Sequence, residues 1–157
     1  MDERYLQKLF ACSTMTSNKQ TKEGNRQMAE SILVVDDEQE IADLVEVYLQ
    51  NEGYTVHKFY NAKDALNCLD KTMISLALLD VMLPDMDGFS LCRQIRQKFY
   101  FPIIMLTAKV EDMDKIMGLT VGADDYITKP FNPLELMARV KTQLRRCLLY
   151  TSDAADE

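Results

Sequence analysis

Between Ser31 and Arg146, short apolar segments alternate with helical patterns, and this alternation limits the fold more than any other feature of the chain. The first apolar segment, Ile32–Val35, is a continuous aliphatic run, which is typical of a strand buried on both faces. Further strands are predicted at residues 54–59, 74–79, 102–106 and 126–128. Strands that alternate with amphipathic helices form a parallel sheet covered by helices on both faces. We therefore predict an α/β fold with five parallel strands.

The helical segments carry recognisable ends. Asn61 and Asn132 are placed as helix N-caps, and a proline follows Asn132 at the first helical position. Gly53 is placed to end the first helix. The fourth of five helices is predicted at residues 111–121, and the fifth is predicted to end at Arg146.

The composition excludes several classes of protein. The chain has 18 Lys and Arg against 25 Asp and Glu, a net charge of −7. Such a chain is not expected to bind nucleic acid through a broad basic face, or to bind anionic membranes. No apolar run approaches the roughly 18 residues that a membrane span requires. None of the four cysteines is paired as CxxC, so a zinc site is not expected, and we predict a cytoplasmic protein.

Polar residues stand at the carboxyl ends of four predicted strands. Asp36 and Asp37 follow the first strand, and Asp80 follows the third. Thr107 and Lys129 follow the fourth and fifth strands. In open α/β sheets, ligands bind outside the carboxyl ends of the strands. Each residue alone could be a helix cap or a surface ion pair, but five at one edge predict a functional site.

These residue types favour one kind of chemistry. Three carboxylates at one edge repel each other and attract a hard cation, and Mg²⁺ prefers carboxylate and water oxygens. Lys129 and Thr107 would add a fixed positive charge and a hydroxyl donor for an anion with several oxygens. The pattern predicts phosphoryl transfer with a carboxylate as the acceptor.

Four segments resemble the receiver domains of bacterial response regulators, the CheY-like family. They are Ile32–Glu38, Leu78–Pro84 with Asp87-Gly88, Met105–Ala108 and Gly122–Phe131. The resemblance covers about residues 31–146 and meets the motifs in their usual order. It implies a flavodoxin-like sheet with the strand order 2-1-3-4-5.

The resemblance also implies roles for individual residues. Asp80 is the expected phospho-acceptor, with a sensor histidine kinase as the phosphoryl donor. Asp36, Asp37, Asp80 and the backbone carbonyl of Met82 are the expected Mg²⁺ ligands. Such a domain is regulatory and not an enzyme, with self-dephosphorylation as its only expected turnover.

Three further residues are expected to respond to phosphorylation. Thr107 and Lys129 are the expected phosphate-sensing pair. Tyr126 is the expected aromatic switch, which turns inward when Thr107 moves. The bond between Lys129 and Pro130 is a candidate cis peptide.

Within this family, the segments Ile41–Glu46, Lys115-Ile116 and Pro133–Leu136 are similar to those of the vancomycin-resistance regulators. The chain therefore resembles the OmpR/PhoB type, to which those regulators belong. Members of that type dimerise on phosphorylation through the face formed by the fourth helix, the fifth strand and the fifth helix. The alternative is a set of solvated surface charges, because single exposed pairs contribute little. The expected interface residues are Lys115, Val121, Asp124, Asp125, Glu135, Ala138, Arg139 and Arg146.

The predicted organisation has three parts. Residues 1–30 are expected to be a disordered or non-native extension, residues 31–146 the receiver domain, and residues 147–157 a non-native or disordered tail. The winged-helix DNA-binding domain of OmpR/PhoB-type regulators is absent from this sequence. We therefore expect no DNA binding by this fragment, whereas the full-length protein would bind DNA and regulate transcription.

Two alternative functions remain open at this stage. One is a stand-alone single-domain receiver that acts as a phosphorelay or a protein-binding switch. The other is a magnesium-dependent phosphatase with an aspartate nucleophile. Such phosphatases usually need a second acid two residues after the nucleophile, where this chain has Met82.

Overall fold

A single parallel sheet forms the centre of the computed structural model, which describes residues 29–108 and 122–155, with side chains as far as Arg146. All neighbouring strands are parallel, and their order across the sheet is β2-β1-β3-β4-β5. The predicted fold class and strand order are therefore confirmed. The strands are β1 (Ser31–Val35), β2 (Thr55–Phe59), β3 (Leu76–Asp80), β4 (Ile103–Thr107) and β5 (Asp125–Thr128).

Four helices are found among the described residues: α1 (Gln39–Asn51), α2 (Ala62–Leu69), α3 (Gly88–Arg96) and a C-terminal helix (Pro133–Ala155). The helix predicted at 111–121 lies outside the described residues. The C-terminal helix continues beyond the predicted end at Arg146, because no glycine or proline interrupts the sequence before Ala155. Within the described part of the chain, no helix is both long enough and apolar enough to cross a bilayer.

The sheet separates two apolar layers. Leu33 and Val35 face the layer that includes α2 and α3, whereas Ile32 and Val34 face α1 and the C-terminal helix. Every residue of β3 and β4 is buried. Alternate side chains of each strand point to opposite layers, so a continuous aliphatic run is what a doubly covered strand requires.

The predicted caps are present at the helix ends. The Asn61 side chain accepts a hydrogen bond from the Asp64 N–H at 2.8 Å. The Asn132 side chain accepts one from the Leu134 N–H at 2.9 Å. Gly53 follows α1 with φ +92°, a left-handed conformation that glycine adopts without a steric penalty. These ends fix where each strand and helix begins, and therefore where the strand-end side chains lie.

Candidate functional site

The carboxyl edge of the sheet gathers four acidic side chains. Asp36 directly follows β1, and Asp80 is the last residue of β3. Carboxylate oxygens of Asp36, Asp37, Glu38 and Asp80 all lie within 4.8 Å of one another. Asp36 is fully buried and Asp80 is only 3% exposed, whereas Asp37 and Glu38 face solvent. Hard oxygen donors at this spacing fit a small divalent cation such as Mg²⁺.

The ammonium group of Lys129 lies among these carboxylates. Its Nζ is 2.9 Å from Asp36 Oδ2, 3.2 Å from Glu38 Oε1 and 3.4 Å from Asp80 Oδ2. Burial alone would lower the pKa of Lys129, but the hydrogen bond to Asp36 and the nearby negative charges outweigh it and raise the pKa. Lys129 is therefore a fixed positive charge at the end of β5.

Burial strongly disfavours the charged form of Asp80. Desolvation, followed by repulsion from Asp36, raises the pKa of Asp80 to about 7, although Lys129 opposes this shift. The Met82 N–H donates to Asp80 Oδ1 at 3.2 Å and orients the carboxyl group. Binding of a cation, or of an anion together with its counterion, would therefore change the free energy difference between the charged and neutral forms of Asp80 considerably.

Thr107 lies on β4, the strand beside β3, and Tyr126 lies on β5, the next strand of the sheet. Thr107 is fully buried at the end of β4, and its carbonyl accepts the Lys129 N–H at 2.7 Å. This backbone bond fixes the lysine relative to β4. Tyr126 is half-buried and packs against the apolar layer on the α2 and α3 side. The Lys129–Pro130 peptide is cis, as predicted.

The loop between β3 and α3 is held at its neck and at its tip. At the neck, the Gly88 N–H donates to the Val81 carbonyl at 2.7 Å. At the tip, the Asp85 carboxylate accepts the N–H groups of Ala62 and Lys63, both at 2.9 Å, at the start of α2. Met82 lies in this loop with an exposed side chain. The loop backbone, which would present the Met82 carbonyl to a cation, is thus tied to the starts of α2 and α3.

Four of the charged positions expected at a dimer interface are engaged within the chain: Asp124, Asp125, Glu135 and Arg139. Arg139 Nη1 lies 2.8 Å from Asp125 Oδ1, and its guanidinium also contacts Glu135 at 3.3 Å. Asp124 Oδ2 accepts hydrogen bonds from Arg96 Nη2 at 2.6 Å and from the Ile103 N–H at 2.9 Å. Ala138 and Arg146 are exposed on the C-terminal helix, whereas Lys115 and Val121 lie outside the described residues.

Two contributors to these networks were missed from the sequence. Glu38 was given no role from the sequence, yet its side chain reaches Lys129, 91 positions later. Arg96 was not singled out, although it also donates to the carbonyls of Phe101 and Gly122, each at 2.8 Å. Position in the chain gave no indication of either contact, because both cross between distant elements.

Comparison with known proteins identifies the family. Residues 32–141 match the response regulator receiver domain. The chain belongs to this family. It is therefore the receiver domain of a two-component response regulator, a regulatory rather than a catalytic domain. Receiver domains bind Mg²⁺ at an acidic pocket, and the four-carboxylate cluster is a pocket of that kind.

Curated relatives and solved structures agree with this assignment. Regulatory protein VanR of Enterococcus faecium is 66% identical over 119 residues, covering 76% of this chain and 52% of the relative. Regulatory protein VanRc of Enterococcus gallinarum is 62% identical over 128 residues, covering 82% of this chain and 55% of the relative. The chain thus spans about half the length of these relatives.

Two solved structures show the same fold. A CheY-like receiver domain protein from Methanospirillum hungatei superposes with a TM-score of 0.71 at 33% identity, covering 76% of this chain and 96% of that one. DrrB, an OmpR/PhoB homolog from Thermotoga maritima, superposes with a TM-score of 0.69 at 42% identity, covering 76% of this chain and 54% of that one. These results confirm the resemblance that the sequence motifs indicated.

Proposed function

We propose that Asp80 accepts a phosphoryl group from a sensor histidine kinase in a Mg²⁺-dependent reaction. The observation that carries this proposal is the surrounding of Asp80: a buried carboxylate at a strand end, 3.4 Å from the Lys129 ammonium and within 4.8 Å of three other acidic side chains. Burying a carboxylate beside three other acidic side chains costs free energy of folding, and the Met82 N–H and the shared Lys129 ammonium offset that cost only in part. Its position is therefore better explained by chemistry than by packing.

In the transfer step, a bond forms between an Asp80 carboxylate oxygen and phosphorus. The phosphorus–nitrogen bond of the donor phosphohistidine breaks, and its electron pair stays on the histidine nitrogen. Asp36, Asp37, Asp80 and the Met82 carbonyl would hold Mg²⁺, which would supply positive charge that offsets the negative charge of the transferred group. Lys129 supplies a second positive charge from within the chain.

The response to phosphorylation would begin at Thr107 and Lys129. A phosphoryl group adds about −1.5 to −2 charges, which attract the Lys129 ammonium and the Thr107 hydroxyl. Tyr126 packs beside β4, which ends at Thr107, and would move inward as this hydroxyl shifts. Such a movement would shift the equilibrium between two conformations of the domain surface around β5.

Intact mass spectrometry tests the phospho-acceptor. With Mg²⁺ and acetyl phosphate, the chain is expected to gain one phosphoryl adduct, which disappears on chelating the metal. Asp80→Asn is expected to abolish the adduct, because it removes the nucleophilic carboxylate. Asp70→Asn removes an exposed carboxylate at the end of α2 and should leave the adduct intact. An adduct that persists in Asp80→Asn, or none on the folded wild type, would contradict the proposal.

We further propose that phosphorylation promotes a symmetric dimer through the face of the predicted fourth helix, β5 and the C-terminal helix. We also propose that the longer protein regulates transcription through a DNA-binding domain. Across the dimer, Asp125 would pair with Arg139 and Asp124 with Arg146; Lys115 would pair with Glu135. Because Asp125 and Arg139 already pair within one chain, dimerisation exchanges one partner for another. The charges would therefore set specificity more than affinity.

Size-exclusion chromatography tests the dimer. The phosphorylated chain is expected to elute as a dimer, and Arg139→Ala is expected to raise its dissociation constant about tenfold. Lys141→Ala is the matched control, because Lys141 lies on the same helix but pairs with Glu52, directly after α1, at 2.7 Å. Equal effects of the two variants would show that this face is not the interface.

A further inference from the structure

The Glu38 side chain contacts Lys129, and this contact is not needed to begin the helix that Glu38 precedes. Glu38 is the N-cap residue of α1, yet its side chain forms no capping hydrogen bond. Its carboxylate instead lies 3.2 Å from Lys129 Nζ. An acid at a helix N-terminus normally contributes through the adjacent N–H groups and the helix dipole. Here the carboxylate is directed across the sheet edge to β5.

The backbone around Glu38 is fixed in the orientation that this contact needs. The Glu38 N–H donates to Asp36 Oδ1 at 2.9 Å, and the Glu38 carbonyl accepts the Ala42 N–H at 3.0 Å. Asp36 therefore uses one carboxylate oxygen to hold the Glu38 backbone and the other to hold Lys129. The two carboxylates approach the same ammonium group from one short turn.

The position of Lys129 matters because its ammonium is 3.4 Å from Asp80, farther than from Asp36 or Glu38. A phosphoryl group on Asp80 must draw this ammonium away from partners that it already contacts more closely. Asp36 is fully buried, so replacing it would remove the nearest buried partner of Lys129. Glu38 is 59% exposed at its side chain, so it can yield its contact to water at low cost.

We infer that Glu38 is a positioning residue that competes with the phosphoryl group for Lys129. By holding the ammonium group, it weakens the binding of a phosphoryl group or its mimic at Asp80. This inference rests on the proposed function, since it assigns a regulator to the same site. Removing the contact would leave Lys129 freer to pair with an anion on Asp80. Because Glu38 is largely exposed and screened, the expected effect is about two- to fivefold.

Beryllofluoride, which mimics a phosphoryl group on an aspartate, is the probe for this competition. Its dissociation constant is measured on the whole chain at saturating Mg²⁺. Glu38→Gln is expected to lower this constant about two- to fivefold. Glu40→Gln is the matched control: it removes the same charge from the first turn of α1, where no ion pair of Glu40 is found among the described residues. It should leave the constant unchanged.

Glu38→Asp separates the contact from the charge. It keeps the negative charge but shortens the side chain by one methylene, which withdraws the carboxylate from Lys129. We expect it to tighten beryllofluoride binding as Glu38→Gln does. Behaviour like that of the wild type would show that only the charge matters, and would overturn the inference.

A Mg²⁺ titration without beryllofluoride distinguishes positioning from metal binding. If Glu38 positions Lys129, Glu38→Gln should leave the Mg²⁺ dissociation constant within about twofold of that of Glu40→Gln. A much weaker Mg²⁺ affinity would make Glu38 a metal ligand and overturn the inference. Wild-type protein that binds no beryllofluoride at all would instead contradict the proposed function.

Discussion

Gly88→Ala is expected to lower the free energy of unfolding by about 2–4 kcal/mol and to weaken Mg²⁺ binding. A Cβ atom at this position would lie 2.1 Å from the Asp80 carbonyl oxygen and 2.8 Å from Val81 Cα. Both are backbone atoms, so no side-chain rotation can relieve the clash. The loop must move instead, which displaces the backbone of Asp80, the proposed phospho-acceptor, and the Met82 carbonyl.

A second glycine provides the control for this prediction. Gly53 has φ +92°, but a Cβ there would meet nothing within 4 Å. Gly53→Ala should therefore cost only the left-handed strain, about 1 kcal/mol, and leave Mg²⁺ affinity unchanged. Urea unfolding measures the stability of both variants, and a metal titration measures the affinity. Equal losses of stability, or normal Mg²⁺ binding by Gly88→Ala, would contradict the steric argument.

The sheet could be predicted because its pattern is local. A continuous aliphatic run such as Ile32–Val35 satisfies a strand covered on both faces, and polar residues next in the chain show where it ends. The first predicted residues of the third strand were wrong: Ile74 and Ser75 precede β3, although both are buried. Burial and strand pairing are separate properties, and an apolar pattern reports only the first.

The sequence was enough to predict which residues form the candidate site, but not which of their charged groups contact each other. Asp36, Asp80 and Lys129 were placed at one edge because parallel strands bring their carboxyl ends together. Which carboxylate each cation contacts depends on side-chain directions that strand ends do not determine. The contact of Glu38 with Lys129 and that of Arg96 with Asp124 both join residues far apart in the chain.

Without Mg²⁺, Asp80→Asn is expected to stabilise the domain at pH 8. The unfolded carboxyl has a pKa of 3.8, and burial raises the pKa of Asp80 to about 7 in the folded state. The folded state therefore binds the proton more tightly, so its stability falls as the pH rises from about 4 to 7. Above pH 7 the charged carboxylate remains a penalty that asparagine avoids, about 4 kcal/mol.

The pH dependence of the stability difference between the wild type and Asp80→Asn is the sharper test. At pH 5 wild-type Asp80 is mostly protonated, so the advantage of Asp80→Asn should nearly vanish. Asp85→Asn provides a contrast, because hydrogen bonds from the Ala62 and Lys63 N–H groups lower the pKa of Asp85. Its contribution is lost only on acidification through that lowered pKa, so Asp85→Asn should destabilise equally at pH 5 and pH 8.

Mg²⁺ is expected to reverse the order of stability of the wild type and Asp80→Asn. Mg²⁺ that binds the folded state stabilises it by mass action, and protons compete for the same carboxylate. Adding Mg²⁺ should therefore stabilise the wild type more at pH 8 than at pH 5, and should stabilise Asp80→Asn much less at either pH. Chemical denaturation at both pH values, with and without Mg²⁺, measures all these differences. An Asp80→Asn effect of the same size at pH 5 and pH 8 would mean that the pKa of Asp80 is not raised by folding, and would contradict this argument.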